Sequence, residues 1–156
     1  MSVSELGFGC WQLGGKSWGR FSQRDVVSAV EEALAAGVTL FDTAPVYGLG
    51  RSEELLGKAL AQACESVVVV SKAGLVWDPS GRVIHDARPV SLRQQLLESL
   101  RRLHRERVEV YLLHWPDARV PLRESVDALE SLRREGLIGA WGLSNHSVAA
   151  LSLIHI

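Results

Sequence analysis

The chain has 156 residues, of which 47% are hydrophobic and 22% charged, and its formal net charge is −1. This length and composition are typical of one globular domain, and the near-zero charge argues against nucleic acid or an anionic membrane as a partner. No apolar run is long enough to cross a bilayer, and two cysteines without a secretory leader predict a reducing cytoplasm rather than a disulfide framework.

The first half of the chain alternates strand-like and helix-like segments. Ser22 is placed as an N-cap of the first helix, and Gly37 is placed to end it. The four consecutive valines of the third strand do not alternate with polar residues, so both of its faces are expected to be buried, as in a parallel sheet covered by helices. The predicted segments are a strand at 6–9, a helix at 22–37, a strand at 38–42, a helix at 51–63 and a strand at 67–72.

The second half continues the same alternation. Ser91 and Gln94 have the spacing of a capping box at the start of the third helix, and Gly136 is placed to end the fourth. Residues 74–89 are rich in turn formers, and we predict a long loop there that shapes specificity. The predicted segments are a helix at 91–106, a strand at 108–115, a helix at 121–136, a strand at 138–144 and the start of a fifth helix capped by Ser147.

Strands and helices that alternate about every 30 residues are typical of βαβ units. They predict a parallel α/β sheet, either open and doubly wound or closed as a barrel. An open dinucleotide-binding sheet should carry G-x-G-x-x-G after its first strand. The segment GFGCWQLGG (7–15) lacks that spacing, so the barrel is favoured.

Polar side chains follow the predicted strands at the same end each time. Asp42, Lys72, His114 and the Ser144–Asn145 pair all lie at carboxyl ends, which meet at one mouth of a parallel barrel. Taken singly, Asp42 is better explained as a turn residue and His114 as a hydrogen-bonded core histidine. Lys72, one of three lysines against 14 arginines, is harder to explain in a valine-rich strand without a partner.

The chemistry of this group favours proton transfer to an oxygen atom. One arrangement that would serve this purpose has Lys72 beside the Tyr47 phenol and Asp42 next to the ammonium. A positive charge next to a phenol favours its ionised form, which helps it to exchange a proton. His114 is placed to donate a hydrogen bond to a substrate oxygen. Metal binding by Asp42 and His114 is disfavoured because no H-x-x-E or H-x-H spacing is present.

Five segments resemble the aldo-keto reductases in order and spacing over residues 5–150. The most specific is the second, in which Asp42 and Tyr47 lie five residues apart before a Ser-Glu-rich helix. The resemblance implies a (β/α)8 barrel that reduces aldehydes or ketones to alcohols with NADPH, or with NADH, and without a metal. The segments are GFGCWQLGG (7–15), FDTAPVYGLGRSEELLGKAL (41–60), VVVVSK (67–72), LLHWP (112–116) and WGLSN (141–145).

The resemblance also implies a role for each site residue. Tyr47 would be the general acid, Lys72 would favour its ionisation, Asp42 would pair with Lys72, and His114 would orient the carbonyl. Ser144 and Asn145 match the pair that binds the nicotinamide carboxamide. The implied cofactor contacts are Cys10, Trp11, Asp42, Ser144 and Asn145, and the implied substrate pocket is Tyr47, His114 and Trp115. Cys10 stands where the family often has threonine.

A barrel of this type needs about 250 residues and eight strands, whereas five strands are predicted here. We therefore expect residues 1–150 to be the first five β/α units of the barrel. Alone they would be inactive, because the segment that grips the adenosine phosphate would be missing, and they would self-associate through open edge strands. The alternative is a non-catalytic subunit of the same fold that senses the cofactor or binds another protein.

The last six residues, LSLIHI (151–156), offer no polar face to continue the fifth helix. They equal the translation of a transposon end used to prepare sequencing libraries. We expect them to be a non-native adapter tail, which the underlying codons would reveal.

Overall fold

A computed structural model describes residues 2–15, 19, 21–61 and 67–152. Its helices are α1 (Gln23–Ala35), α2 (Arg51–Leu60), α3 (Pro89–Leu103), α4 (Leu122–Arg134) and α5 (Val148–Ser152). Its strands are β1 (Gly7–Gly9), β2 (Leu40–Asp42), β3 (Val68–Ala73), β4 (Leu75–Trp77), β5 (Val83–His85), β6 (Val108–Leu113) and β7 (Ile138–Leu143). Part of the proposed adapter tail, residues 153–156, lies outside the described residues.

The main sheet is parallel. Within the described residues its strand order is β1-β2-β3-β6-β7, so each neighbouring pair is joined by a crossover that contains a helix. All six residues of β3 are buried, as its unbroken valine run predicts. The five predicted β/α alternations are therefore confirmed, with β1 and β7 at the edges of the described sheet.

Two helix starts show how different local signals in the sequence compete. Ser22 caps α1 in a full capping box, because its hydroxyl accepts from the Asp25 amide and Asp25 accepts from the Ser22 amide. The capping box predicted at Ser91 and Gln94 is wrong. Helix α3 begins earlier, at Pro89, because proline at the first helical position has its φ preset and lacks the N–H that would need a partner. Ser91 instead accepts from the Gln95 amide group inside the helix.

The predicted long loop at 74–89 is corrected to a hairpin. Strands β4 and β5 pair antiparallel, and Asp78 organises the turn by accepting from Ser80 and Arg82. The hairpin is joined to the segment after β6, since a His85 ring nitrogen lies 2.8 Å from the carbonyl oxygen of Pro116. It is therefore a fixed part of the fold.

The described residues contain no helix that is both long and apolar enough to cross a membrane.

Two glycines let the turn after β1 approach the loop that follows β2. A Cβ on Gly14 would lie 2.6 Å from the amide nitrogen of Gly48, and one on Gly48 would overlap the Gly14 carbonyl oxygen. Gly48 also has φ +66°, in the region where a side chain is strained. This contact fixes the position of Tyr47, the residue just before Gly48.

Gly48→Ala is expected to lower the free energy of unfolding by about 2–4 kcal/mol, through overpacking and left-handed strain together. Urea unfolding followed by tryptophan fluorescence measures it. Gly136→Ala is the matched control, because Gly136 has φ +79° but no atom within 4 Å of an added Cβ. An equal loss in both variants would contradict the steric account.

Candidate active site

The parallel sheet brings the predicted polar residues to one end. Asp42 is the last residue of β2, Lys72 the penultimate residue of β3, and His114 directly follows β6. Ser144 and Asn145 directly follow β7. Backbone hydrogen bonds continue past the strands at this end, from Thr43 to Val70, from His114 to Ala73 and from Ser144 to Leu113, so the strand ends are held in register.

Lys72 is the centre of the group. Its Nζ donates to Asp42 Oδ1 at 2.7 Å, to the Thr43 carbonyl at 2.8 Å and to Tyr47 Oη at 3.3 Å. These three oxygens take the three protons of an ammonium group. The Lys72 side chain is 7% exposed, whereas that of Asp42 is 44% exposed. The ion pair therefore has one buried and one solvated partner, and Tyr47 Oη completes the coordination of the buried charge.

Tyr47 lies among aromatic and basic groups in the loop between β2 and α2. Its ring contacts Trp11 at a centroid distance of 6.3 Å and meets His114 edge-on at 6.0 Å. The loop is closed by backbone hydrogen bonds from the Tyr47 amide to Ala44 and from the Ser52 amide to the Tyr47 carbonyl. Tyr47 is half-buried, so its hydroxyl is held by Lys72 and remains within reach of a small molecule.

His114 is a neutral imidazole at neutral pH. Burial, and then the charge of Lys72, lower its pKa from the usual 6.5 to about 4. A neutral ring carries one N–H, which suits it to donate one hydrogen bond to an uncharged carbonyl oxygen.

The lowered pKa of His114 gives a pH dependence of stability. Between pH 6.5 and about 4 the unfolded chain binds a proton that the folded site rejects, so stability falls as the pH falls through this window. The loss is about 3 kcal/mol for a pKa difference of this size. Urea unfolding at about pH 7 and about pH 4.5 should show a smaller acid loss in His114→Gln than in the parent protein. An equal loss of stability in both proteins would mean that the titrating group is not His114.

The segment after β7 is held against the same site. Asn145 Nδ2 donates to the His114 carbonyl at 2.8 Å and to Ser144 Oγ at 3.0 Å. Asn145 has φ +59°, in the left-handed region that asparagine tolerates better than most residues. The Ser144–Asn145 pair is thereby fixed two strands away from Lys72, with β6 between them.

The three remaining predicted residues differ in exposure. Cys10 is fully buried after β1, and burial followed by the charge of Asp42 raises the pKa of its thiol to about 12. Trp11 and Trp115 are 58% and 44% exposed. The Cys10 thiol is therefore protonated and unreactive, whereas a large part of each indole is exposed.

The sequence prediction missed several residues that hold the site. The Thr43 carbonyl accepts from Lys72, and Ser52 Oγ donates to the Cys10 carbonyl at 2.7 Å. Ser52 and Glu53 are both fully buried. The burial of Ser52 could have been predicted from the sequence, since Ser52 lies one helical turn before the buried Leu56, on the apolar stripe of α2.

Two cavities beside the hairpin do not contain the catalytic candidates. Cavities of about 350 and 630 Å³ lie against the hairpin, lined by Trp77 and Arg102 in one case and by His85 and Arg119 in the other. Tyr47 and His114 line neither of them. Among the described residues no group of three His, Cys, Asp or Glu side chains is placed to hold a metal ion.

Comparison with known proteins identifies one family. The aldo/keto reductase family model matches residues 5–155. The NADH-specific methylglyoxal reductase of Escherichia coli is 34% identical over 160 residues, which cover 93% of this chain and 49% of that protein. The chain spans about half the length of the curated relatives it matches.

Solved structures of the family have the same fold. A glycerol dehydrogenase from Gluconobacter oxydans has a TM-score of 0.89 and 39% identity, covering 98% of this chain and 48% of that one. An aldo-keto reductase from Klebsiella pneumoniae in complex with NADPH has a TM-score of 0.81 and 34% identity, with coverages of 98% and 49%. The five parallel β/α units correspond to about half of the barrel in these enzymes. The chain therefore belongs to the aldo/keto reductase family.

Proposed function

We propose that this chain supplies the catalytic residues of an NAD(P)H-dependent oxidoreductase that reduces aldehydes or ketones to alcohols. The observation that carries the proposal is the buried Lys72 ammonium, 3.3 Å from Tyr47 Oη and 2.7 Å from Asp42 Oδ1. An ammonium held by a carboxylate stabilises negative charge on the phenol oxygen. Tyr47 is therefore suited to give a proton to a carbonyl oxygen and to recover it afterwards.

The remaining residues orient the substrate. The neutral His114 donates a hydrogen bond to the carbonyl oxygen, which positions it beside the phenol and stabilises the negative charge that develops there. Trp11 and Trp115 provide aromatic walls on the exposed side of the site. The substrate class is thus a small carbonyl compound, and a metal ion has no role in this mechanism.

The residues present fit a nicotinamide cofactor. The Ser144 hydroxyl and the Asn145 amide, fixed at the end of β7 by the His114 carbonyl, are together a donor and an acceptor, the complement of a carboxamide. Asp42 and Cys10 are further proposed cofactor contacts. They are neighbours, since the Cys10 amide donates to the Asp42 carbonyl at 2.8 Å. The cofactor supplies two electrons and one hydrogen when it is bound.

We propose NADPH as the preferred cofactor, with NADH as the alternative, since a structural relative binds NADPH and a sequence relative is NADH-specific. We also place the protein in the reducing cytoplasm, which is consistent with Cys10 being a buried free thiol. Comparing kcat/KM for the two cofactors in a protein that completes the barrel decides the preference.

We further propose that residues 1–150 act within a longer barrel. The chain alone is expected to show no NADPH oxidation with an aldehyde and to self-associate, since β1 and β7 are the edges of its described sheet and present unpaired backbone groups. The comparison is between the 156-residue chain and a polypeptide that continues it through three further β/α units. Turnover by the short chain as a monomer in light scattering would contradict this proposal. Cofactor binding without turnover in the longer protein would favour a sensing subunit.

A further inference from the structure

A buried ion pair joins helices α2 and α3 on the helix-facing side of β3, the strand that carries Lys72. Glu53 on α2 is fully buried and Arg102 on α3 is 7% exposed. Arg102 Nε donates to Glu53 Oε2 at 2.7 Å. Burying two charges is costly unless each polar atom finds a partner, so the second carboxylate oxygen of Glu53 is informative.

That second oxygen is bound to the strand that carries Lys72. Ser71 Oγ donates to Glu53 Oε1 at 2.6 Å. Successive side chains of a strand point to opposite faces, so Ser71 faces the helices and Lys72 faces the barrel interior. The Glu53 carboxylate thus binds the helix-facing side of β3 at Ser71, the residue next to Lys72.

Ser52, next to Glu53 on α2, binds the residues that follow β1 and β2. Ser52 Oγ donates to the Cys10 carbonyl after β1, so its 2.9 Å contact with Thr43 Oγ1 has the Thr43 hydroxyl as donor. The Thr43 carbonyl in turn accepts from Lys72 Nζ. The first turn of α2 therefore binds the segments just after β1 and β2 and the second half of β3, immediately after the loop that carries Tyr47.

We propose that Glu53, held in place by Arg102, is a positioning residue that sets the Lys72–Tyr47 separation through Ser71. The inference rests on the proposed function, because it assigns a role within that site. The helix that follows Tyr47 reaches back to the strand of Lys72, so one rigid element fixes both partners of the 3.3 Å contact. A charged acceptor makes the link to Ser71 shorter and stronger than a neutral one would.

The test uses Ser71→Ala in the protein with the longer barrel. This change removes the link to β3 and leaves the Glu53–Arg102 pair intact. We expect kcat to fall at least tenfold with KM within twofold, since misplacing a catalytic group by about 1 Å costs about a hundredfold. Ser125→Ala is the matched control, because its hydroxyl is equally buried and donates to the Ala87 carbonyl at 2.8 Å, outside this network. It should keep kcat within twofold.

A second readout does not depend on turnover. In protein carrying ¹³C-labelled lysine, the Cε signal of Lys72, assigned with Lys72→Arg, should move towards that of a free lysine in Ser71→Ala and stay in place in Ser125→Ala. Parent-level kcat in Ser71→Ala, or an equal loss in both variants, would overturn the proposal. If the parent protein lacks carbonyl reduction, the proposed function fails, and the lysine signal alone decides: movement only in Ser71→Ala supports positioning, and any other pattern overturns it.

Discussion

Replacing Tyr47 with phenylalanine is expected to lower kcat for carbonyl reduction by about 10²–10⁴-fold, the usual contribution of a positioned general acid. The substitution removes one oxygen atom and keeps the ring that contacts Trp11 and His114. Lys72 loses one of three acceptors and keeps Asp42 and the Thr43 carbonyl, so the site should stay assembled. Cofactor oxidation in the longer protein measures the effect.

The chain provides its own control for this experiment, because it has two tyrosines. Tyr111 is fully buried on β6, and burial raises the pKa of its phenol well above the usual value, which keeps it protonated. Tyr111→Phe should leave kcat unchanged. If Tyr47→Phe retained parent kcat while still binding the cofactor, the proton donor would be another group and the proposed mechanism would be wrong.

Arg102→Met should cause the largest loss of stability, about 3–5 kcal/mol, because it leaves the Glu53 carboxylate buried and uncompensated. Methionine keeps most of the apolar stem, so the loss reports the charge rather than the packing. A change of this size is a large fraction of the stability of a typical domain. Urea unfolding of parent and variant measures it.

Arg93→Met is the matched control on the same helix. Arg93 also pairs with a glutamate, Glu135, at 2.7 Å, but the two side chains are 49% and 37% exposed, and water screens such a pair. Its loss should change the unfolding free energy far less. The double change Glu53→Leu with Arg102→Met should be more stable than Arg102→Met, because it removes the uncompensated charge. Equal effects of Arg102→Met and Arg93→Met would contradict a buried pair.

The main features predicted from the sequence depend on directionality and periodicity. The valine run of β3 predicts burial on both faces, and that is observed. Asp42, Lys72 and His114 were predicted to share one end of the sheet because parallel strands all finish there, and no knowledge of packing was needed. A lysine in a buried strand also indicates a partner, and the resemblance to the aldo-keto reductases indicates that this partner is Asp42.

Other predictions failed where a local signal competed with a stronger one. The Ser91–Gln94 capping box has the correct spacing, but Pro89 starts the helix two residues earlier. The turn formers of 74–89 predict a loop, whereas Asp78 and Gly81 make the turn of a hairpin. Residues 75–77 and 83–85 each offer only three positions of alternation and, unlike those of β1 and β2, they are joined by a turn rather than by a predicted helix.

The sequence by itself determined the parallel α/β class, the strand ends that carry the chemistry and the family, because each follows from residue order along the chain. Only the tertiary structure decided that Glu53 meets Arg102, 49 residues away, and that Ser71 joins them to the strand of Lys72. Such contacts depend on how α2 and α3 pack against β3. Many sequences with the same hydrophobic pattern would place different side chains at that junction, so the pattern alone does not specify the pairing.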